Sequence, residues 1–280
     1  MKKVLSSILG FLIIIFIILI YSRFVGVIGL DTNEINLSTN IVDSYDGLKI
    51  VHFSDIHYKK VITEKRVSEL ISEINRIKPD IVLFTGDMLD QDYKMKNTDV
   101  NFLIEELSKI ETRYGSYAIM GDQDVDQEDT LKNIYIQSNF TLLKNETVLI
   151  HNENNDKILL TGLNRYLDKE SNIEQALDPT LNTDDITYRI ALIHEPDYIP
   201  TILKKYPNIN LILSGHSIHG SIKVPLIKKL LLPKGSREYT KEEEHLDNTD
   251  IFVSNGIGVN NINFRLFNTP SINFYRIHRK

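Results

Sequence analysis

The chain has the sequence LKIVHFSDIH at residues 48–57 and IVLFTGDMLD at residues 81–90. Each segment begins with a short run of apolar residues that is typical of a strand buried on both faces. Between them, residues 64–77 place apolar side chains at the i, i+3, i+4 and i+7 spacing of an amphipathic helix. This alternation of strands and helices predicts an α/β fold with mixed sheets.

The same alternation continues towards the C-terminus. A second helix is predicted at residues 102–110, and further buried strands at 116–120, 157–161, 188–193 and 211–214. The sequence contains neither an internal repeat nor an interdomain linker in this part. We therefore interpret residues 48–280 as one domain, preceded by a juxtamembrane link at residues 24–47.

Five of the predicted strands end in aspartate or histidine. The residues that follow them include Asp55, His57, Asp87, Asp122, His194 and His216. One such residue is usually a turn former, a helix cap or a structural histidine, but five such ends are hard to explain separately. Open α/β sheets place ligand sites beyond the carboxyl ends of their strands. Carboxylate and imidazole without thiolate suit Mn²⁺, Fe or Zn²⁺, and sometimes Mg²⁺, so the pattern predicts a metal site.

Two of these residues, Asp55 and His57, are separated by a single position. If the backbone is still extended after the strand, both side chains point to the same side of the sheet. The sequence therefore predicts that they act together.

The composition excludes several other kinds of site. The 280 residues contain no cysteine, which removes disulfides, thiolate metal sites and cysteine nucleophiles. Three of the 32 basic residues precede Asp31, which leaves 29 basic against 38 acidic residues and a net charge of −9 beyond them. Nucleic-acid binding needs clustered lysine and arginine, so we expect no nucleic-acid partner.

An apolar segment near the N-terminus predicts a membrane anchor. Residues 4–22 are uncharged, and a helix of this length at about 1.5 Å per residue approaches the roughly 30 Å hydrocarbon core of a bilayer. A cleaved signal peptide is one alternative, but the run exceeds the usual apolar region of about 7–15 residues and no A-x-A-like site follows. A buried core helix is another, but no polar stripe interrupts the run. We interpret residues 1–23 as one uncleaved transmembrane helix.

The charges beside this helix predict its orientation. Lys2 and Lys3 precede the apolar run, whereas only Arg23 follows it closely. Basic residues favour the cytoplasmic side, so the N-terminus is expected in the cytoplasm. The sequence thus predicts a single-pass protein of the cell membrane with an extracytoplasmic domain.

In its motifs the chain resembles the calcineurin-like metallophosphoesterases over roughly residues 48–270. The pattern of that family runs DxH, GDxxD, GNHD, a lone His and GHxH, and the matching segments are 55–57, 86–90, 121–124, His194 and 215–219. The chain looks most similar to the membrane-associated bacterial subgroup, in which GHTHGG precedes a basic-apolar stretch ending in proline, here residues 220–225. The resemblance implies a four-layer α/β/β/α sandwich of two mixed sheets flanked by helices, with a two-metal site at one edge.

The resemblance also implies a role for each matched residue. The implied metal ligands are Asp55, His57, Asp87, Asp122, His194, His216 and His219. Asp87 would bridge two divalent metal ions, with Asp55 and His57 on the first and Asp122 on the second. The ions, Mn, Fe or Zn with Mg possible, would hold a hydroxide for in-line attack on the phosphorus of a phosphate ester.

Three departures from the family pattern lie within this predicted site. Asp122 replaces asparagine, which lowers the positive charge of the metal-loaded site. Gln123 replaces a histidine that assists the leaving group; it can donate a hydrogen bond but no proton, and Asp124 then lacks the histidine that it orients. Ile218 stands at the second ligand position of GHxH, so His219 reaches the first metal only if a bulge redirects it.

Two functions are compatible with these residues. The first is a metal-dependent phosphohydrolase, in particular a phosphodiesterase for lipid-linked or membrane-derived phosphates, with Gln123 and Asp124 as catalytic residues. The alternative is a catalytically degenerate member of the family that acts as a membrane-anchored metal- or phosphate-binding module. The motifs specify metals and phosphate but neither the substrate nor the oligomeric state, because selectivity lies in the loops.

Overall fold

Within the part of the chain that the structure describes, two mixed sheets of six strands each form the centre of the fold. The first sheet has the order β1 (Asp31–Thr39), β12 (Ser271–Arg279), β2 (Leu48–Phe53), β3 (Ile81–Phe84), β4 (Ser116–Ala118) and β5 (Phe140–Leu142). The second has the order β10 (Glu243–Leu246), β11 (Thr249–Val253), β9 (Leu211–Ser214), β8 (Ile186–Ile193), β7 (Lys157–Gly162) and β6 (Glu146–His151). This computed structural model describes residues 2–90, 92–167, 169, 171–176, 186–216, 232–239, 241–246, 248–259 and 263–280.

Parallel strands supply the functional edge of each sheet. In the first sheet β2, β3, β4 and β5 are parallel, and in the second β7, β8, β9 and β11 are parallel. Antiparallel pairs join β12 to β2, β6 to β7 and β10 to β11. The carboxyl ends of the parallel strands of each sheet therefore face one common edge of that sheet.

Among the described residues, helices α2 (Glu64–Ile77), α3 (Asn97–Leu107), α4 (Glu128–Gln137), α5 (Ile173–Ala176) and α6 (Ile199–Lys205) cover the outer faces of the sheets. The N-terminal helix α1 (Lys2–Ile20) does not pack on either sheet. The predicted bounds of α2 are confirmed, whereas α3 begins and ends earlier than the predicted 102–110. It begins earlier because the carboxylate of Asp99 accepts the backbone N–H of Lys96 at 2.9 Å and caps the first turn.

Three layers of buried apolar side chains hold the described elements together. One lies between the first sheet and α2, α3 and α4, one between the two sheets, and one between the second sheet and α6. Successive residues of β2 alternate between layers, with Ile50 facing the second sheet and Val51 facing the helices. Because both faces of the central strands are covered, β2 and β3 are predominantly apolar, and the predicted four-layer sandwich is confirmed.

The segment predicted to be a juxtamembrane link contains a strand that the sequence analysis missed. Residues 31–39 form β1, which pairs in parallel with β12 along its whole length. Only Leu37 of this strand is fully buried, so the segment lacks the apolar run by which the other strands were recognised. An edge strand pairs through its backbone on one side only and can carry polar side chains.

The N-terminal helix stands apart from the packed layers. Among the described residues, one helix is long and apolar enough to cross a membrane, and its apolar window is wholly unburied. A π-helical turn at Tyr21–Val25 continues α1 towards the domain. This geometry fits the predicted membrane span.

Candidate metal centre

The predicted site residues lie where the strands of both sheets end. His194 follows β8, and its Nδ1 donates a hydrogen bond of 2.6 Å to the carbonyl of Thr85, which follows β3. Gly215 follows β9, and a Cβ there would lie 2.7 Å from the same carbonyl. A larger residue at position 215 would therefore push the two sheets apart at the site.

Asp55, His57 and Asp87 form one group of potential metal ligands. The Nε2 atom of His57 lies 3.8 Å from Oδ1 of Asp55 and 3.9 Å from Oδ2 of Asp87, and all three side chains are buried. The extended backbone predicted for this segment was wrong, because φ is 52° at Asp55 and 46° at His57. Hydrogen bonds from the Asp55 N–H to the Gly86 carbonyl and from the Gly258 N–H to the Asp55 carbonyl stabilise this left-handed turn.

Asp87 also belongs to a second group, together with Asp122, His194 and His216. Oδ1 of Asp122 lies 3.2 Å from Nε2 of His194 and 3.0 Å from Nδ1 of His216. Oδ2 of Asp87 lies 3.3 Å from Nε2 of His194. One carboxylate therefore lies between two potential metal positions. The structure brings six of the predicted ligands together, while their binding of metal stays a prediction.

Backbone carbonyls determine which nitrogen of each histidine faces the carboxylates. Nδ1 of His194 donates to the Thr85 carbonyl, and Nε2 of His216 donates to the Lys234 carbonyl at 2.8 Å. A carbonyl oxygen only accepts, so the proton of each neutral ring lies on that nitrogen. The opposite nitrogen of each ring faces Asp122 and carries the lone pair. Histidine ligands of metals are commonly oriented by such a second hydrogen bond.

The electrostatics of the cluster favour an added cation. Burial raises the pKa of Asp87 well above its usual value and lowers the pKa of His57. Burial also raises the pKa of Asp122, but when the rings of His194 and His216 are protonated their hydrogen bonds to Asp122 outweigh burial and hold that pKa well below its usual value. Among the described residues, Nε2 of His57 and Oδ2 of Asp87 find no hydrogen-bond partner. These buried acceptors and the oxygen and imidazole donor set fit two divalent cations.

Asp124 links the loop that carries the Asp87 carboxylate to the loop at Gly121 through hydrogen bonds. Its Oδ1 accepts the N–H groups of Met88 and Leu89 at 2.9 and 3.3 Å, and its Oδ2 accepts those of Asp87 and Gly121 at 3.0 and 2.9 Å. Burial raises its pKa to about 6, and the N–H donors oppose that rise. The contacts make Asp124 a positioning residue for Asp87.

Gln123 lies at the edge of both groups. Its backbone N–H donates to Oδ1 of Asp87 at 2.9 Å, and its side-chain Nε2 donates to Oδ2 of Asp122 at 3.0 Å. Because the first bond occupies Oδ1 of Asp87, Oδ2 is the oxygen that faces His57 and His194 in the two ligand groups. The half-buried side chain can donate a hydrogen bond at the site, and its catalytic role stays a prediction.

The seventh predicted ligand, His219, and its neighbour Ile218 lie outside the described residues. Sequence analysis also missed a contribution from Arg265, which is buried and donates to the carbonyls of Gly256 and Gly258 beside the Asp55 turn. Neither this contact nor the carbonyl partners of the histidines has a local sequence signature, because backbone oxygens occur at every position.

Comparison with known families gives this site a class. The family model of the calcineurin-like phosphoesterases matches residues 48–220. The chain therefore belongs to this family, as its motifs predicted, and by class it is a metallophosphoesterase, a hydrolase of phosphoric esters. The family uses a dimetal centre, which agrees with the two ligand groups that share Asp87.

Individual relatives are similar over most of the chain. An uncharacterized metallophosphoesterase, YkuE of Bacillus subtilis, is 28% identical over 262 residues, covering 92% of this chain and 88% of the relative. A transmembrane protein with metallophosphoesterase domain from Danio rerio is 26% identical over 247 residues, covering 82% of this chain and 53% of that protein. The description of the relative from Danio rerio as a transmembrane protein agrees with the membrane span suggested by α1.

A solved structure shares the fold at much lower sequence similarity. It is described as "Termus thermophilus Sulfate thiohydrolase SoxB in complex with glycerol". The match has a TM-score of 0.50 at 10% identity and covers 78% of this chain and 53% of that chain. At this identity the likeness concerns the fold alone.

Proposed function

We propose that this protein is a membrane-anchored, metal-dependent phosphodiesterase. The observation that carries the proposal is the position of Asp87 in both ligand groups, because a shared carboxylate is what a two-metal phosphoesterase needs. Asp55 and His57 would hold the first metal with Asp87. Asp122, His194 and His216 would hold the second.

Bound Mn²⁺, Fe or Zn²⁺ would supply Lewis acidity and lower the pKa of water at the site. The chain's own residues then orient the ester. The buried ligand groups exclude bulk water, and the half-buried side chain of Gln123 can donate a hydrogen bond to a phosphoryl oxygen. Asp124 holds the Asp87 loop in place through four backbone N–H groups.

The charge of the site favours a diester over a monoester. Three aspartates contribute to the two groups, one more than the family pattern with asparagine at position 122 provides. This extra carboxylate weakens the attraction for a phosphate anion. A monoester carries about −1.5 to −2 charges near neutral pH. The extra carboxylate therefore weakens the binding of a monoester more than the binding of a singly charged diester.

A pair of chromogenic esters tests this proposal. The full chain in detergent with Mn²⁺ is expected to hydrolyse bis(p-nitrophenyl) phosphate faster than p-nitrophenyl phosphate, and chelation should abolish both rates. Asp126→Asn changes an exposed carboxylate and should leave them unchanged. Faster hydrolysis of the monoester would contradict the choice of a diester. A metal-loaded chain that hydrolyses neither ester would contradict the proposal that the protein is an enzyme.

The alternative of a binding module is supported by one contact. Nε2 of Gln123 bonds to Asp122, and an amide cannot deliver a proton to a leaving group. A chain that keeps two metals but turns over no ester would act by holding a phosphate group.

We further propose that residues 1–23 anchor the protein in the cell membrane and that residues 48–280 act outside the cytoplasm on lipid-linked or membrane-derived phosphates. The apolar, unburied helix and the position of Lys2 and Lys3 before it support this orientation. Protease added to intact cells should degrade the domain, whereas a cytoplasmic marker protein stays intact. Complete protection of the domain until the cells are lysed would contradict the orientation.

A further inference from the structure

Residues 21–30, which lie between α1 and β1 and are called the juxtamembrane segment from here on, are hydrogen-bonded to the domain. The backbone N–H of Arg265 donates to the carbonyl of Ser22 at 3.0 Å. The guanidinium of Arg66 donates to the carbonyls of Val27 and Gly29 at 2.7 and 3.1 Å. Ser22 and Val27 are buried. The side of the domain that carries Arg66 is therefore held at the level where α1 leaves the membrane.

A cleft of about 350 Å³ opens on this side, between the juxtamembrane segment and α2. Its wall includes the apolar residues Ile28, Leu30, Leu70 and Ile257. Ile28 is 64% exposed, although it follows α1 by only eight residues. Leu30 is partly exposed, whereas Leu70 and Ile257 line the cleft but are themselves buried. An exposed apolar side chain so close to a membrane span can lie at the bilayer interface, where lipid covers it.

A cation stands at the rim of this apolar wall. The side chain of Lys65 is 85% exposed, and its ammonium group lies 3.7 Å from Glu69 in an ion pair on the helix surface. Such exposed pairs contribute little free energy, so the ammonium group can turn to another anion. Lysine near a membrane surface extends its charged end to the headgroups while its methylenes cover apolar surface.

We propose that this cleft binds an anionic phospholipid of the surrounding leaflet. One acyl chain lies against Ile28 and Leu30 at the opening of the cleft, and the headgroup phosphate lies beside Lys65. The site depends on the proposed membrane anchoring but not on turnover at the metal centre.

The cleft is also joined to the metal centre through the backbone. The N–H of Ile257 donates to the Ser54 carbonyl at 3.1 Å, and the N–H of Gly258 donates to the Asp55 carbonyl at 2.7 Å. Ile257, which lines the cleft but is itself buried, therefore connects the cleft to the turn of the first ligand group. The bound lipid holds this side of the domain at the headgroup layer.

Photolabelling of the full chain in membranes tests the proposal. The chain is reconstituted in phosphatidylcholine vesicles with a small fraction of phosphatidylglycerol that carries a diazirine on one acyl chain, irradiated and mapped by peptide mass spectrometry. Label is expected on residues 28–30 and 65–70 in addition to α1. Lys65→Glu should lower the label in the cleft at least about fivefold, because loss of one basic side chain at an anionic membrane surface alone has about that effect, and should leave the label on α1 unchanged.

The matched control is Lys132→Glu, which reverses an exposed lysine on α4, beyond α3 from the cleft, and should change neither label. Label confined to α1 would overturn the lipid site. Equal labelling of the cleft by a phosphatidylcholine probe would overturn the selection of an anionic headgroup. Release of the chain from membranes by alkaline carbonate would overturn the anchoring and the cleft together, whereas ester hydrolysis measured in detergent reports on the metal centre alone.

Discussion

Asp87→Asn is expected to lower the metal content of the purified full chain from two divalent cations per molecule to one or none. Asp87 is the residue common to both ligand groups, and its Oδ2 faces Nε2 of His57 and Nε2 of His194. Asparagine can keep the bond from the Gln123 N–H through its oxygen but presents an NH₂ group to the metals. Removal of residues that merely orient ligands costs about 10–100-fold in metal affinity or activity, so loss of the shared ligand should lower turnover by at least roughly 100-fold.

Metal analysis after reconstitution with Mn²⁺ measures this effect, and Asp126→Asn serves as the control because its carboxylate is exposed. Thermal unfolding adds a second measurement. A ligand at 100 times its Kd stabilises the folded state by about 2.7 kcal/mol, so Mn²⁺ should raise the Tm of the wild-type chain much more than that of Asp87→Asn. In chelator the two proteins should unfold at similar temperatures. Two metals retained in Asp87→Asn would rule out a shared carboxylate.

The buried strands and α2 could be predicted because their patterns follow directly from burial. β2 and β9 are covered on both faces, so most of their residues are apolar, and their predicted bounds match the structure. α2 buries one stripe only, formed by Val67, Leu70, Ile71 and Ile74, which gives the helical spacing. β1 has neither pattern, because it is an edge strand that pairs with one neighbour and fully buries only Leu37.

The site was predictable as a set of residues but not as a geometry. Asp55 and His57 were expected to share a side of an extended strand, yet they converge through left-handed turns that depend on bonds to Gly86 and Gly258. These partners are distant in sequence and act through their backbone, so no local pattern indicates them. Asp124 was predicted as a catalytic residue, and that role stays a prediction; its four N–H contacts, which the sequence did not indicate, connect it to the neighbouring loop.

Gln123→His is expected to raise the rate of hydrolysis of esters with poor leaving groups by about 10²–10⁴-fold, the usual contribution of a general acid. Gln123 lies at the edge of both ligand groups, with its backbone N–H bonded to Asp87. That bond does not involve the side chain, so the substitution leaves the loop anchored. Histidine at this position can give a proton to a departing alkoxide, which the amide cannot do.

The choice of substrate separates this effect from a general gain in stability or metal binding. An alkyl diester such as glycerophosphoglycerol should respond strongly, whereas bis(p-nitrophenyl) phosphate, whose leaving group departs without protonation, should change little. The variant should also acquire a decline in rate at alkaline pH, because a general acid must be protonated to act. Gln123→Asn keeps the amide and should show neither change. Two outcomes would contradict this prediction: an equal rate increase for both esters, or no rate increase in a variant that still binds two metals. Either would mean that proton transfer from position 123 does not limit the rate.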